Sequence, residues 1–158
     1  MRVTPRELIL FVATAGVALF GDLPFMVCTD SADVWAHPEI FQLAADGRPA
    51  FQAGVPPDYF SPTGQLWGNP HYDWKAMKAT RYSWWVERMR STLKLVDLVR
   101  LDHFRGFCAA WQVPADETTA VKGRWVEGPA ADLFSRLESE LGTLPLIAED
   151  LGEITPDV

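Results

Sequence analysis

The chain has 158 residues, with 48% hydrophobic and 22% charged side chains, a balance typical of a folded globular domain and unlike a disordered or membrane-embedded chain. A formal net charge of -7 would repel nucleic acid and anionic membranes, so neither is expected as a partner, whereas a neutral substrate is compatible. The two cysteines have no closely spaced cysteine or histidine neighbours, so no metal site is expected and a reducing, cytoplasmic compartment is favoured.

The first element of the chain has two interpretations. Two arginines precede an apolar run from Leu8 to Phe20, which fits a secretory signal peptide and is too short to span a bilayer. The alternative is a helix over residues 5–15 followed by a buried strand over 17–22. We favour the helix and strand because the residues that follow continue an alternation of strands and helices.

A long segment from Pro24 to Tyr72 comes next and is rich in proline, glycine, aspartate and aromatic residues. A connection of this length without clear periodicity is usually either functional or disordered. Its aromatic content argues against disorder. We therefore predict that residues 24–72 form an irregular loop region that carries part of the function.

The rest of the chain alternates between helical and strand patterns. Apolar residues recur at helical spacing over 74–95, and the run over 95–101 predicts a strand. After another loop, a helix is predicted over 129–141 and a strand over 145–149. This alternation predicts parallel strands joined by helices, so the fold class is α/β, although three strands alone do not distinguish a barrel from an open sheet.

Each predicted strand ends in an acidic residue, namely Asp22, Asp102 and Glu149. Ligands of α/β folds bind at the carboxyl ends of the strands, so the three acids are candidate functional groups. Arg100 lies two residues before Asp102 and therefore projects from the same face of its strand, where it would keep that carboxylate ionised. The competing interpretations are helix N-caps and a structural ion pair.

Glu149 follows the apolar run Leu146 to Ala148. Desolvation in such surroundings would raise the pKa of its carboxyl group, as a general acid requires. An ionised Asp102 and a protonated Glu149 would form the working pair of a glycosidase. Asp150 points to the other side of the strand, where it would cap a helix or bind a ligand.

Long motifs along the chain carry a specific resemblance. They are RLDHFRGF at 100–107, IAEDLG at 147–152, GDLP at 21–24 with DSADVW at 30–35, and GVPPDYFS at 54–61 with GQLWGNP at 64–70. In this order they resemble the 4-α-glucanotransferase, or amylomaltase, family (glycoside hydrolase family 77). The match runs over nearly the whole chain, which makes it far more specific than a lone short motif.

The resemblance implies a fold and a reaction. The fold would be part of a (β/α)8 TIM barrel, with about three βα units and 24–72 as its substrate-binding loop. The reaction would pass a segment of an α-1,4-glucan to the 4-hydroxyl of glucose or a maltooligosaccharide, with retention of configuration. Asp102 would be the nucleophile, Glu149 the general acid and base, and Arg100 the residue that orients the nucleophile.

The resemblance also assigns binding residues. Those expected to contact or wall the sugar are Asp22, Tyr59, Phe60, Gln65, Trp67 and His103, together with Asp150. Exclusion of water by the long aromatic loop would favour transfer over hydrolysis. Two carboxylates suffice for this chemistry, so neither a metal nor an organic cofactor is expected.

The family is several times longer than this chain, and its third catalytic acid has no counterpart here. Residues 1–158 are therefore expected to be part of one catalytic domain, truncated at both ends, and inactive and weakly stable or oligomeric in isolation. Two alternatives remain open. One is a non-catalytic glucan-binding remnant that uses Tyr59 and Trp67, and the other is an α-amylase-type hydrolase with the same Arg-x-Asp arrangement.

Overall fold

The computed structural model describes residues 16–158, so the helix predicted over 5–15 and the alternative signal peptide lie outside the described residues. The strands are β1 (Phe20–Leu23), β2 (Phe51–Val55), β3 (Gln65–Pro70), β4 (Leu98–Leu101), β5 (Ala109–Pro114), β6 (Arg124–Glu127) and β7 (Leu146–Ala148). The α-helices are α1 (Ala32–Ala36), α2 (Trp74–Ala79), α3 (Ser83–Leu93) and α4 (Ala130–Leu141). Short 3-10 helices cover Pro38–Ile40, Phe104–Phe107 and Ala120–Lys122. The mixed α/β class is confirmed.

The predicted strands at both ends and in the middle of the chain form one parallel sheet in the order β1-β4-β7. One face of this sheet is covered by helices, because Val99 and Leu101 of β4 share a core cluster with Trp85 of α3 and Leu133 of α4. Each such buried apolar side chain contributes about 2 kcal/mol to stability. The opposite face carries Leu98 and Arg100, so strand alternation separates the core from the charged residues.

The continuous helix predicted over 74–95 is wrong, because the chain forms α2 and α3 with a turn between them. Arg81 and Tyr82 both have a φ of 55°, in the left-handed region that costs a residue with a Cβ about 1–2 kcal/mol. Tyr82 is buried there, and its hydroxyl donates a hydrogen bond of 2.6 Å to Asp132 of α4. A tertiary contact therefore stabilises a break that no glycine or proline marks in the sequence.

The prediction of irregular loops over 24–72 and before the last helix is also wrong in part. Strands from both segments form a second, antiparallel sheet in the order β3-β2-β5-β6. These strands were not predicted from the sequence because glycine and proline interrupt the alternation of apolar and polar residues. Gly54 illustrates the reason, since a Cβ at this position of β2 would lie 2.1 Å from the backbone oxygen of Gln65 on β3.

Side chains join the segment after β1 to the end of β3 and so relate the two sheets. Asn69 donates to the carbonyl of Val27 over 2.8 Å, and the hydroxyl of Tyr72 donates to the carbonyl of Phe25 over 2.5 Å. Phe25 is buried among aromatic rings from both parts of the chain. The end of β3 is thereby held beside the segment that follows β1, next to the carboxyl edge of the parallel sheet. Within the part of the chain that the structure describes, no helix is long and apolar enough to cross a membrane.

Candidate active site

Four charged side chains meet at the carboxyl edge of the parallel sheet. Arg100 donates from Nη1 to Asp22 Oδ1 over 2.6 Å. Its other terminal nitrogen, Nη2, donates to Asp102 Oδ1 over 3.0 Å and to Glu149 Oε1 over 2.6 Å. One guanidinium thus contacts an acid from each of the three strand ends.

Strand pairing explains why these residues converge. Asp22 of β1 lies directly opposite Arg100 of β4 in the parallel register. The ladder continues past the strand ends, since the Asp102 amide donates to Leu23 O and the Glu149 amide donates to Leu101 O, both over 3.2 Å. Backbone hydrogen bonds therefore set the separation of the three acids, and Arg100 and Asp102 share a face as the alternation predicts.

The surroundings of Glu149 differ from the sequence expectation. Its side chain is 15% exposed, yet its carboxylate does not lie among apolar groups. Oε1 accepts from Arg100, and Oε2 accepts from the backbone amide of His103 over 2.6 Å. The apolar run before Glu149 is itself largely exposed, with Ile147 at 46%, so the expectation that this run surrounds the carboxylate with apolar groups is wrong.

The backbone of His103 turns sharply after the strand that ends near Asp102. Its φ and ψ are both 48°, a left-handed conformation that points the amide at Glu149. The 3-10 helix that follows needs Gly106, because a Cβ there would lie 2.5 Å from the ring of Phe25. Sequence reasoning missed this amide donor, since only a backbone angle reveals it, although Gly106 within the motif is a signal of close packing.

The electrostatics of the site follow from its unequal charges, with a single guanidinium facing three carboxylates. The hydrogen bond with Asp22 raises the pKa of Arg100 above its ordinary value, and the Glu149 charge adds to this effect. Burial lowers the pKa of His103 against the opposing charges of Asp102 and Glu149, so its ring is neutral near pH 7. The excess of negative charge suits a transition state that develops positive charge at carbon.

The predicted aromatic residues divide into two groups. Trp67 meets the ring of His103 edge-on, with centroids 4.9 Å apart, and its Nε1 donates to Gln65 over 3.2 Å. Tyr59 and Phe60 lie at the tip of the β2–β3 turn, 95% and 90% exposed, and contact each other with ring centroids 5.6 Å apart. The structure thus brings Trp67 and Gln65 beside His103 and leaves the two tip residues outside that contact.

The last predicted binding residue, Asp150, is exposed and makes no hydrogen bond or ion pair with another residue of 16–158. Among those residues, no group of three or more histidine, cysteine, aspartate or glutamate side chains is arranged to hold a metal ion. What the described residues offer at this edge is a set of three carboxylates, Asp22, Asp102 and Glu149, around one shared arginine.

Comparisons with known proteins place the chain in one family. The model of the family described as 4-alpha-glucanotransferase, glycoside hydrolase family 77, matches residues 6–158. A 4-alpha-glucanotransferase of Thermus thermophilus is 53% identical over 143 residues, which cover 90% of this chain and 29% of that protein. One from Synechocystis sp. is 56% identical over 144 residues, which cover 90% of this chain and 28% of that protein.

A solved structure is similar as well. The amylomaltase from Streptococcus agalactiae in complex with acarbose matches with a TM-score of 0.94 and 43% identity, covering 96% of this chain and 31% of that one. The chain therefore spans less than a third of the length of the relatives it matches.

Proposed function

The chain belongs to the 4-alpha-glucanotransferase family, glycoside hydrolase family 77, and we propose that it supplies the nucleophile and the acid/base of that reaction. The substrates would be α-1,4-glucans and maltooligosaccharides, and the acceptor a 4-hydroxyl of glucose or a shorter chain. The observation that carries the proposal is the convergence of Asp102 and Glu149 on Arg100. A neutral sugar is not repelled by the net negative charge of the chain. The similar amylomaltase from Streptococcus agalactiae was solved in complex with acarbose.

The proposed architecture is a (β/α)8 barrel to which this chain contributes about three βα units. Support comes from the parallel order β1-β4-β7, with helices on one face and the acids at the carboxyl edge. Residues 1–158 would lie within one catalytic domain, with 24–72 as its substrate-binding region. Both cysteines are free, which fits the cytoplasmic compartment proposed for the enzyme.

In the first step Asp102 attacks the anomeric carbon of the donor. Arg100 contacts Oδ1 and so leaves Oδ2 to form the new carbon–oxygen bond. The glycosidic bond breaks, and Glu149 gives its proton to the departing oxygen. Arg100 thereby fixes the attacking carboxylate in one orientation, which is the contribution expected of a positioning residue.

In the second step Asp102 is part of a neutral ester. It therefore no longer repels the negative charge of the Glu149 carboxylate. The Glu149 carboxylate left by the proton transfer is stabilised at Oε1 by Arg100 and at Oε2 by the His103 amide. It then takes the proton of the acceptor hydroxyl, whose oxygen displaces Asp102 from the sugar. Both halves of the reaction use the same two carboxylates and need no cofactor.

Transfer requires that a sugar hydroxyl outcompete water. Trp67 and the half-buried His103 form a wall beside the acids, where a sugar ring would stack and exclude water. Tyr59 and Phe60 would cover the acceptor from the exposed turn, while Asp22, Gln65 and Asp150 are proposed to bind hydroxyls. The edge-on contact of Trp67 with His103 supports this arrangement on the acceptor side.

The test is chromatography of the products that form from maltotriose. Because the chain covers 29% of the Thermus thermophilus relative, the assay uses the chain itself and a hybrid enzyme, in which residues 16–158 replace the matching residues of that relative. We expect the isolated chain to be inactive and the hybrid enzyme to release glucose and chains longer than maltotriose, with both products lost in Asp102→Asn.

Other outcomes separate the remaining candidates. Accumulation of glucose and maltose without longer chains would indicate an α-amylase-type hydrolase. Maltooligosaccharide binding without turnover by a folded hybrid enzyme, unaffected by Asp102→Asn, would indicate a glucan-binding module. A hybrid enzyme that keeps full transfer activity after Asp102→Asn would overturn the proposed role of this carboxylate.

A further inference from the structure

A cavity of about 570 Å³ lies beside helix α1, formed by residues outside the group of acids around Arg100. Its lining includes Thr29, Asp30, Ser31, Trp35, Pro38 and Leu43. This volume is within the range of small-ligand sites. None of the chemistry described above uses these side chains, so the cavity has no assigned role in the proposed reaction.

Trp35 is the most exposed tryptophan of the chain, at 86%. Such exposure means that the indole adds little to the hydrophobic stability of the fold. The start of its helix is anchored, because the adjacent Val34 is buried and the Ser31 Oγ accepts from the Val34 amide over 3.3 Å, and Trp35 lines the cavity. The helix therefore presents a flat apolar ring at the cavity.

The polar groups of the cavity complement a sugar. The side chain of Asp30 is exposed, and its carboxylate forms no hydrogen bond or ion pair with any other residue of 16–158. Both carboxylate oxygens are therefore free to accept hydrogen bonds. The Ser31 hydroxyl accepts from the backbone and keeps its proton to donate. Vicinal sugar hydroxyls both donate and accept, and the C–H face of a pyranose packs against an aromatic ring.

We propose that this cavity is a second binding site for α-1,4-glucan, in which Trp35 stacks on a glucose ring and Asp30 binds its hydroxyls. The identity of the sugar rests on the proposed function. Thr29 Oγ1 donates to the carbonyl of Gly68 over 2.8 Å, which fixes the cavity to the strand that carries Trp67. A long chain bound at Trp35 would thus remain close to the wall of the active site and raise the local concentration of donor ends.

The experiment follows the indole N–H signals of the ¹⁵N-tryptophan-labelled hybrid enzyme by NMR, in the Asp102→Asn background to prevent turnover. Trp35→Phe and Trp67→Phe assign the two signals. We expect maltoheptaose to shift both in a saturable way. Asp30→Asn should weaken the Trp35 binding curve about tenfold and leave the Trp67 curve unchanged. The charge-matched control, Asp116→Asn on an exposed loop, should leave both curves unchanged.

The outcomes for this site and for the proposed function are distinct. A Trp67 shift without a Trp35 shift overturns the second site and leaves the proposed function standing. A Trp35 shift without a Trp67 shift supports the second site and counts against the proposed active site. An equal Trp35 shift with cellohexaose, or one that appears on raising the protein concentration without sugar, overturns the proposal in favour of unspecific stacking or self-association.

Discussion

The two sheets of this molecule hold their functional side chains in different ways. In the parallel sheet, Asp22, Arg100, Asp102 and Glu149 stand at strand ends that backbone hydrogen bonds fix relative to one another. In the antiparallel sheet, Tyr59 and Phe60 occupy a turn where they are almost fully exposed. We therefore propose that the rigid sheet supplies the groups that break the glycosidic bond and that the exposed turn contacts sugar chains of variable length.

The largest effect is expected when the proposed nucleophile at the edge of the parallel sheet is removed and the antiparallel sheet is left unchanged. Asp102→Asn in the hybrid enzyme should lower the transfer rate at least about 10³-fold, because an amide cannot form the ester with the donor. Maltotriose disproportionation measures the rate, and a denaturant titration confirms that stability is retained. The exposed acid Glu153 provides the matched control, Glu153→Gln, which should stay within about twofold of the parent. Comparable losses in both variants would contradict the assignment.

The second prediction concerns the stability of the antiparallel sheet. Gly54→Ala should destabilise the chain by about 3 kcal/mol, because the new Cβ would lie 2.1 Å from a backbone oxygen that cannot rotate away. Gly47→Ala is the control, since no atom lies within 4 Å of the new Cβ and only its φ of 80° is unfavourable for alanine. That variant should cost only about 1 kcal/mol. Urea unfolding measures both, and equal losses would show that the close approach of β2 to β3 is not what requires glycine.

The antiparallel sheet also has a buried histidine that should make stability depend on pH. Burial lowers the pKa of His71 from 6.5 to about 4, against backbone hydrogen bonds that raise it. The folded state therefore binds its proton less readily than the unfolded state. The contribution of neutral His71 to the free energy of unfolding is fully present above pH 6.5. It is lost as the pH falls towards 4, by up to about 3 kcal/mol. Unfolding at pH 7 and pH 4 measures the loss, which His71→Gln should reduce; an unchanged loss in that variant would rule His71 out as the cause.

The smallest expected effect concerns the wall between the two regions. Trp67→Ala in the hybrid enzyme should raise the acceptor KM about tenfold and increase the share of donor that goes to water, since a stacking surface is lost. Trp67→Phe should keep most of the preference for transfer. The ratio of glucose released to longer chains formed measures the partition. A parallel fall of transfer and hydrolysis would show instead that Trp67 supports the acids.

The same contrast explains what the sequence could predict. The parallel strands and their terminal acids were accessible because apolar runs, helical spacing and strand alternation are local signals, and alternation also placed Arg100 beside Asp102. The break at Arg81 and Tyr82 was not accessible, since a hydrogen bond to a distant helix stabilises it. The antiparallel sheet was missed because its pairing depends on contacts far apart in the chain and on a glycine that reads as a loop signal.

In the candidate active site, too, some long-range contacts could not be predicted from the sequence. Which acids meet could be predicted from strand order, but what surrounds Glu149 could not. Its contacts with Arg100 and with the His103 amide depend on a backbone turn whose φ is 48°. The expectation of apolar surroundings, which rested on the apolar run before Glu149, was therefore wrong, although the strand-end position of Glu149 was predicted correctly.

The most direct test of the central claim, that Asp102 and Glu149 work as nucleophile and acid/base, is to trap the intermediate. The Glu149→Gln variant of the hybrid enzyme is mixed with 4-deoxymaltotriosyl fluoride, and its peptides are analysed by mass spectrometry. Fluoride leaves without a proton, so Asp102 should still form the ester, and without the Glu149 base the ester should accumulate. We expect a 4-deoxymaltotriosyl group on the peptide that contains Asp102. An adduct on another residue, or fast turnover with no adduct, would contradict it.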